Sequence, residues 1–292
     1  REMMELHTLS VDGGYSETDV KEVARCFTGW TVSSVKDSPD GKVGFLFRKE
    51  RHDPDAKTVL GTTINAGDEG DGEAVLNLVA KHPSTARFIS TKIARRFVSD
   101  DPPTSLVERM SGTFQQSDGD ITSILRDLFA APEFWNAPPK FKLPFEYLIS
   151  IMRALNINMS SDLHFLIALK NLLREMGNLP FTWPAPNGYP DVQGAWLGTM
   201  YERWNIALTV STSIPGAAAN FESLLDLMDV QQVSMQLDDM LGFMGNYLLG
   251  RTLTDDEHAI VVEFARARAS DLHTQFVSGT ALLMASPAFQ YR

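Results

Sequence analysis

The chain has 292 residues, 43% of them hydrophobic, with 26 Lys and Arg against 37 Asp and Glu and a net charge of −11. That length builds a sizeable core in one large or two ordinary domains, and the acidic balance argues against nucleic acid as a partner, which needs a basic face. No apolar run reaches about 18 residues, so no stretch reads as a membrane-spanning helix, and the single cysteine, Cys26, excludes an internal disulfide framework and a thiolate zinc site.

Residues 1–7 read as a helix that begins without an N-cap. Ser16 opens the next one. Its hydroxyl caps, Asp19 reciprocates, and Val20, Val23, Ala24 and Phe27 then recur on one face. Gly29 is placed to stop it, and Cys26 falls on its apolar side as an inert thiol. Residues 31–33 and 43–47 alternate or are β-branched around the turn residues Ser38, Pro39, Asp40 and Gly41. They predict a small hairpin, with 58–64 as a third short strand. The acidic, glycine-rich stretch 65–73 reads as a mobile loop.

Beyond it the pattern is helical. Pro83 and Ser84 open a helix with Ala86, Ile89, Ile93 and Phe97 inward and Arg87, Lys92, Arg95 and Arg96 outward. Asp120 opens another, with Ile121, Ile124, Leu125 and Leu128 on one face. Pro144 sits in the first turn of a third, where its missing N–H costs nothing. Residues 161–176 form a fourth, stopped by Gly177. A loop rich in proline and aromatics covers 179–191, and helices follow from about Gln193, Phe221, Gln231, Thr254 and Asp271. The expected fold is mainly α, one compact multi-helix domain over 1–292 with a small β-hairpin insertion near residues 31–64. A short echo links ILRDLFAAPEFW (124–135) with ALLMASPAFQYR (281–292). It marks either two similar helical layers or a shared stop signal.

The segments REMMELHTLSVDGGY and DVKEVARCFTGW, then His52-Asp53, HPSTARFISTKIARRFV, LFAAPEFW and PFEYLISIMRAL, carry a resemblance. With FTWPAPNGYPD, RWNIA and LLMASPAFQYR they resemble, in order and over essentially the whole chain, the bacterial DUF1800 family. The resemblance implies a further N-terminal helical region, so that this chain is the C-terminal portion of a longer member. It also implies a secreted or periplasmic setting and a DUF1501-family protein as partner. It implies no reaction.

Chemistry therefore has to be read from residues. Glu5 and His7, with Glu2, place carboxylates and an imidazole together for a metal or acid–base work, or simply brace the turn at Asp12, Gly13 and Gly14. His52 and Asp53 follow a strand, a usual place for catalytic groups, although Asp53-Pro54 also makes a plain turn. Trp183 and Tyr189 in the 179–191 loop offer flat faces to a ring such as a sugar, or act as packing wedges. Trp196, Met200, Trp204 and Ala207 form a helical stripe that reads more as core than as cleft, beside Arg203. Arg95 and Arg96 make a basic strip for an anion, or a solvated helix face. No phosphate loop, nucleophile elbow, haem motif, zincin motif or EF-hand is present, and neither cofactor nor metal can be named. The residues favour a non-enzymatic, partner-binding component, and the resemblance implies that its assembly is extracytoplasmic. The alternative is a hydrolase-like enzyme or glycan binder using Glu5, His7, His52 and Asp53 with the tryptophan loop as platform.

Overall fold

The computed structural model describes residues 1–34, 42–157, 161–212 and 221–292; the turn expected at Ser38, Pro39, Asp40 and Gly41 lies outside them. The chain is mainly α, and it divides into two units, Arg1–Pro138 and Pro139–Arg292.

In the first unit the opening residues form a π-helical turn, Met3–Thr8. Leu9 N donates to Met4 O at 2.7 Å and the Thr8 hydroxyl to Met3 O at 2.8 Å, and the wide turn sends Met4 and Leu9 into the core. Helix α1 (Glu17–Cys26) starts at the expected capping box: Ser16 Oγ accepts from Asp19 N at 3.2 Å, and Asp19 Oδ2 from Ser16 N at 2.8 Å. Strand β1 (Trp30–Val32) pairs antiparallel with β2 (Phe45–Phe47), Trp30 opposite Phe47.

Two expectations need correction here. The stretch 58–64 is not one strand but a second hairpin, β3 (Lys57–Val59) with β4 (Thr62–Ile64). Leu60 and Gly61 take φ of 48° and 74°, the left-handed pair that a two-residue hairpin turn requires. Asp19 Oδ1 accepts from Leu60 N at 2.7 Å and ties this turn to α1. The stretch 65–73 is not a loop throughout, because α2 (Gly70–Ala80) begins inside it and Asp71 is fully buried. Composition suggested solvent, whereas the internal partners of Asp71 fix the helix start.

Helices α3 (Pro83–Phe97), α4 (Thr104–Gln116) and α5 (Ile121–Ala130) pack in sequence, closed by the short α6 (Pro132–Trp135). His82 and Asp120 cap α3 and α5 through their side chains. Ala86, Ser90 and Ala94 form the buried stripe of α3, small enough for α4 to approach closely. That orientation leaves Phe97, expected inward, 38% exposed, and half-buries Arg95 and Arg96, expected outward. Ile121 is likewise exposed. Phe97 meets Phe129 edge-on at 5.6 Å instead.

The second unit holds α7 (Pro144–Ala154), α8 (Leu163–Glu175), α9 (Met200–Thr212), α10 (Phe221–Val230), α11 (Leu237–Leu249), α12 (Asp255–Arg268) and α13 (Leu272–Ala285). The helix expected from Gln193 begins at Met200 after two short 3-10 turns, and that expected near Gln231 begins at Leu237. Helix α13 is the spine. Phe276, Val277, Thr280, Ala281, Leu283 and Met284 bury it on several sides, and α9, α11 and α12 all pack along it. The unit's two ends meet in a short antiparallel ladder, with Lys140 and Arg292 exchanging N–H···O bonds at 2.9 Å and Lys142 N donating to Gln290 O at 2.8 Å. The echoed segments occupy matching places. Each ends its unit with a helix and then a proline-led turn, α5 and α6 in one, α13 and Ala288–Gln290 in the other.

Candidate functional site

His52 leaves the short 3-10 turn after β2 and points into the first unit, where only 8% of it is exposed. Its Nδ1 lies 2.8 Å from Thr28 O and its Nε2 3.2 Å from Asp71 Oδ2. Lys57, on β3, is buried beside it and donates to Asp71 Oδ2 at 2.6 Å and to Asp53 O. Gly67 N donates to Asp71 Oδ1 at 3.0 Å. Burial opposes the charge on Asp71, but the bonds from Lys57 and Gly67 and the Lys57 charge hold its carboxyl below the ordinary value. Asp53 does not join this cluster through its carboxylate. It faces the rim, where Arg25 and the Asp55 N–H keep it down at about 2. Gly72 follows Asp71 because a side chain there would lie 2.4 Å from the Trp30 ring. A salt bridge enclosed this completely locks β3 to α2, and His52 ties it to Thr28 just beyond α1. The sequence pattern does not single out Lys57, just before the expected strand 58–64, or Asp71, inside the expected loop 65–73.

Glu5 and His7 lie on the opening π-turn, Glu5 partly buried and His7 exposed. Among the described residues no hydrogen bond, ion pair or ring contact joins either to His52 or Asp53, and no group of three His, Cys, Asp or Glu side chains could hold a metal ion. The turn at Gly13 is held instead by its own N–H to Ser10 O, 3.1 Å, and by the Ser84 hydroxyl to Gly13 O, 3.2 Å. Arg95 Nε donates to Asp100 O at 3.0 Å, and Arg96 is also engaged. Cys26 is buried, with its thiol pushed up to about 11 by burial.

In the second unit Arg203 is completely buried. It donates to Thr199 Oγ1 at 2.9 Å, Gln290 Oε1 at 3.1 Å and Lys142 O at 2.8 Å, and its guanidinium lies over the rings of Phe141 and Tyr147. It thereby staples the two ends of the unit. Burial lowers its pKa to about 10 and that of Lys142, whose Nζ donates to Phe289 O at 2.8 Å, to about 8. Burial also raises Tyr147, whose hydroxyl donates to Arg203 O and Met284 O.

The aromatic loop packs on itself. Trp183, Tyr189 and Trp196 follow each other at ring distances of 5.0 and 5.8 Å, with Trp183 Nε1 donating to Asn187 Oδ1 and Trp196 Nε1 to Pro190 O. Trp196 and Ala207 are buried as expected, but the stripe between them is not core. Met200 and Trp204 line an open cleft of about 780 Å³.

The cleft lies wholly within the second unit. One wall is Leu197 and the α9 residues Met200, Trp204 and Leu208; the other is Ile260, Phe264 and Arg268 of α12. Helix α13 is the floor, and the segment 286–291 with Phe141 closes one end. Leu197, Trp204, Leu208 and Ile260 are 40–61% exposed, large apolar groups at one concave place. The α12 signal was present in the sequence, since Glu257, Ile260, Val261, Phe264 and Arg268 fall on one helical face.

The family described as "Protein of unknown function (DUF1800)" matches residues 1–291. The chain belongs to DUF1800. No curated protein and no solved structure matches it significantly. The motifs that carry the DUF1800 likeness include RWNIA with Arg203, the segment 144–155 and the closing 282–292; their Tyr147, Arg203 and Gln290 meet in the staple, and residues 287, 288, 290 and 291 line the cleft.

Proposed function

We propose that this DUF1800 protein is a non-enzymatic binding component that works outside the cytoplasm and receives a partner protein in the α9–α12 cleft. The observation that carries the reading is the cleft itself, a concave apolar space of about 780 Å³ between helices. The groups with chemical potential support it from the other side. His52, Lys57 and Asp71 are enclosed and paired with one another, and Arg203 is committed to stapling. The enzyme alternative needs Glu5, His7, His52 and Asp53 to meet, and the enclosed His52 and the exposed His7 give it less support. A DUF1501-family protein is the partner to try first, as the expectation drawn from the sequence resemblance.

The test uses purified DUF1501-family protein from the same source and measures its binding to wild type and to Ile260→Lys. Ile260 is 61% exposed, so the substitution leaves the fold intact. A loss of tenfold or more in affinity supports the reading, and equal binding by both proteins removes the cleft from it. Fractionation of native cells tests the compartment: recovery with the cytosolic fraction contradicts the extracytoplasmic setting.

A further inference from the structure

The shape and charge of the cleft point to its occupant. Helices α9 and α12 both pack along α13 and make little contact with each other, so α13 is a floor with a helix on either side. With 13 and 14 residues, the two walls run for about 20 Å. The wall residues expose their sides to an open trough, whereas a small-molecule pocket encloses most of its ligand. Helix α11 packs on α13 and α12 as well, and the trough above α13 between α9 and α12 is the place left for one more helix of such a bundle. The charges are unequal as well. At one end Glu257 is taken by Arg251, with N···O of 2.7 Å. At the other, Arg268 lies over the Phe264 ring, 4.9 Å from its centroid, and meets no carboxylate among the described residues.

We infer that the cleft takes an amphipathic α-helix of the partner protein, its apolar stripe laid on α13 between α9 and α12, with a carboxylate near one end paired to Arg268. This rests on the cleft being a binding surface. It adds that the occupant is helical, about three turns long, and acidic at one end.

The experiment measures fluorescence anisotropy of the full chain with a labelled helical peptide of about fourteen residues. The peptide carries leucines at i, i+3, i+4, i+7 and i+11 and a glutamate at one end of that face. Companion probes are the same peptide with lysine in that place, a scrambled peptide of equal composition, and palmitate. The expected result is saturable binding of the glutamate peptide, at least tenfold tighter than the scrambled one and several-fold tighter than the lysine one. Ile260→Lys should weaken it tenfold or more, and Arg268→Glu should reverse the preference between glutamate and lysine. Ile260 and Arg268 are both exposed, so circular dichroism of the variants should match wild type. Binding of the striped peptide no better than the scrambled one overturns the inference, as does an unchanged charge preference in Arg268→Glu. Palmitate binding alone would overturn the helix and leave the cleft a binding site. Failure of every probe would sink both.

Discussion

Lys142→Met gives the sharpest test of the buried staple in the second unit. Lys142 is 8% exposed, and burial takes its pKa from 10.5 down to about 8. A base whose pKa is lower in the folded state disfavours folding while it is charged in both states, which holds below pH 8. Between the two values the unfolded chain binds the proton more tightly, so stability rises with pH. Integrated from about pH 6.5 to about pH 9.5, the gain is about 2 kcal/mol. The methionine variant keeps the apolar stem and has no proton to lose, so it should show none of that gain. Its absolute stability at neutral pH is a poor readout. Relief of the buried charge opposes loss of the bond to Phe289 O, worth about 1–3 kcal/mol when left unmade. Urea unfolding of both proteins at each pH, followed by circular dichroism, gives the difference directly. Cys26 and Tyr147, raised by burial, pull stability down at high pH in both proteins and cancel. Identical pH slopes for wild type and variant would refute the argument.

The remaining predictions concern the first unit. Asp71→Ala leaves Lys57 charged and unpaired in the core and should cost about 3–5 kcal/mol by denaturant unfolding; a cost under about 1 kcal/mol would show that water reaches the cluster. Because the Asp71 pKa is lowered on folding, its stabilisation is present above the ordinary carboxylate range and is lost as pH falls through the lowered value. Wild type should therefore lose its advantage over Asp71→Ala in acid. His7→Ala should stay within about 1 kcal/mol of wild type in thermal unfolding, while His52→Ala, which opens a void and strips Asp71 and Thr28 O of a partner, should cost about 2–4 kcal/mol; equal effects would contradict the burial difference. Gly72→Ala drives a methyl into the Trp30 ring and should cost about 1–3 kcal/mol, with a shift in tryptophan emission.

Much of the fold was legible because it is local. The cap at Ser16, the helix starts at Asp120, Thr254 and Asp271, the proline of α7 and the stop at Gly177 act within one turn of themselves, and each holds in the structure. The errors share a cause. Asp71 stands in a run whose composition suggests solvent, and only Lys57 and Gly67, brought in by the β3–β4 hairpin, make burial of that carboxylate favourable. Phe97 turned outward because α3 packs on α4 through Ala86, Ser90 and Ala94, a close approach that no property of α3 alone announces.

The cleft illustrates the same limit more sharply. Met200, Trp204 and Leu208 on α9, and Ile260, Val261 and Phe264 on α12, recur at helical spacing. Periodicity identifies an apolar face but carries no record of what covers it. A stripe that meets a neighbour in its own chain and one that awaits another molecule are written alike. They diverge only when the helices are placed and one position beside α13 is left open to solvent. Arg268 adds the discriminating feature. A stripe destined for the interior of its own chain has little use for a guanidinium without a carboxylate at its edge, because nothing within reach offsets the loss of water around it. At the rim of a surface that another molecule covers, the same group stays hydrated until an acidic partner arrives, and then contributes to choosing it.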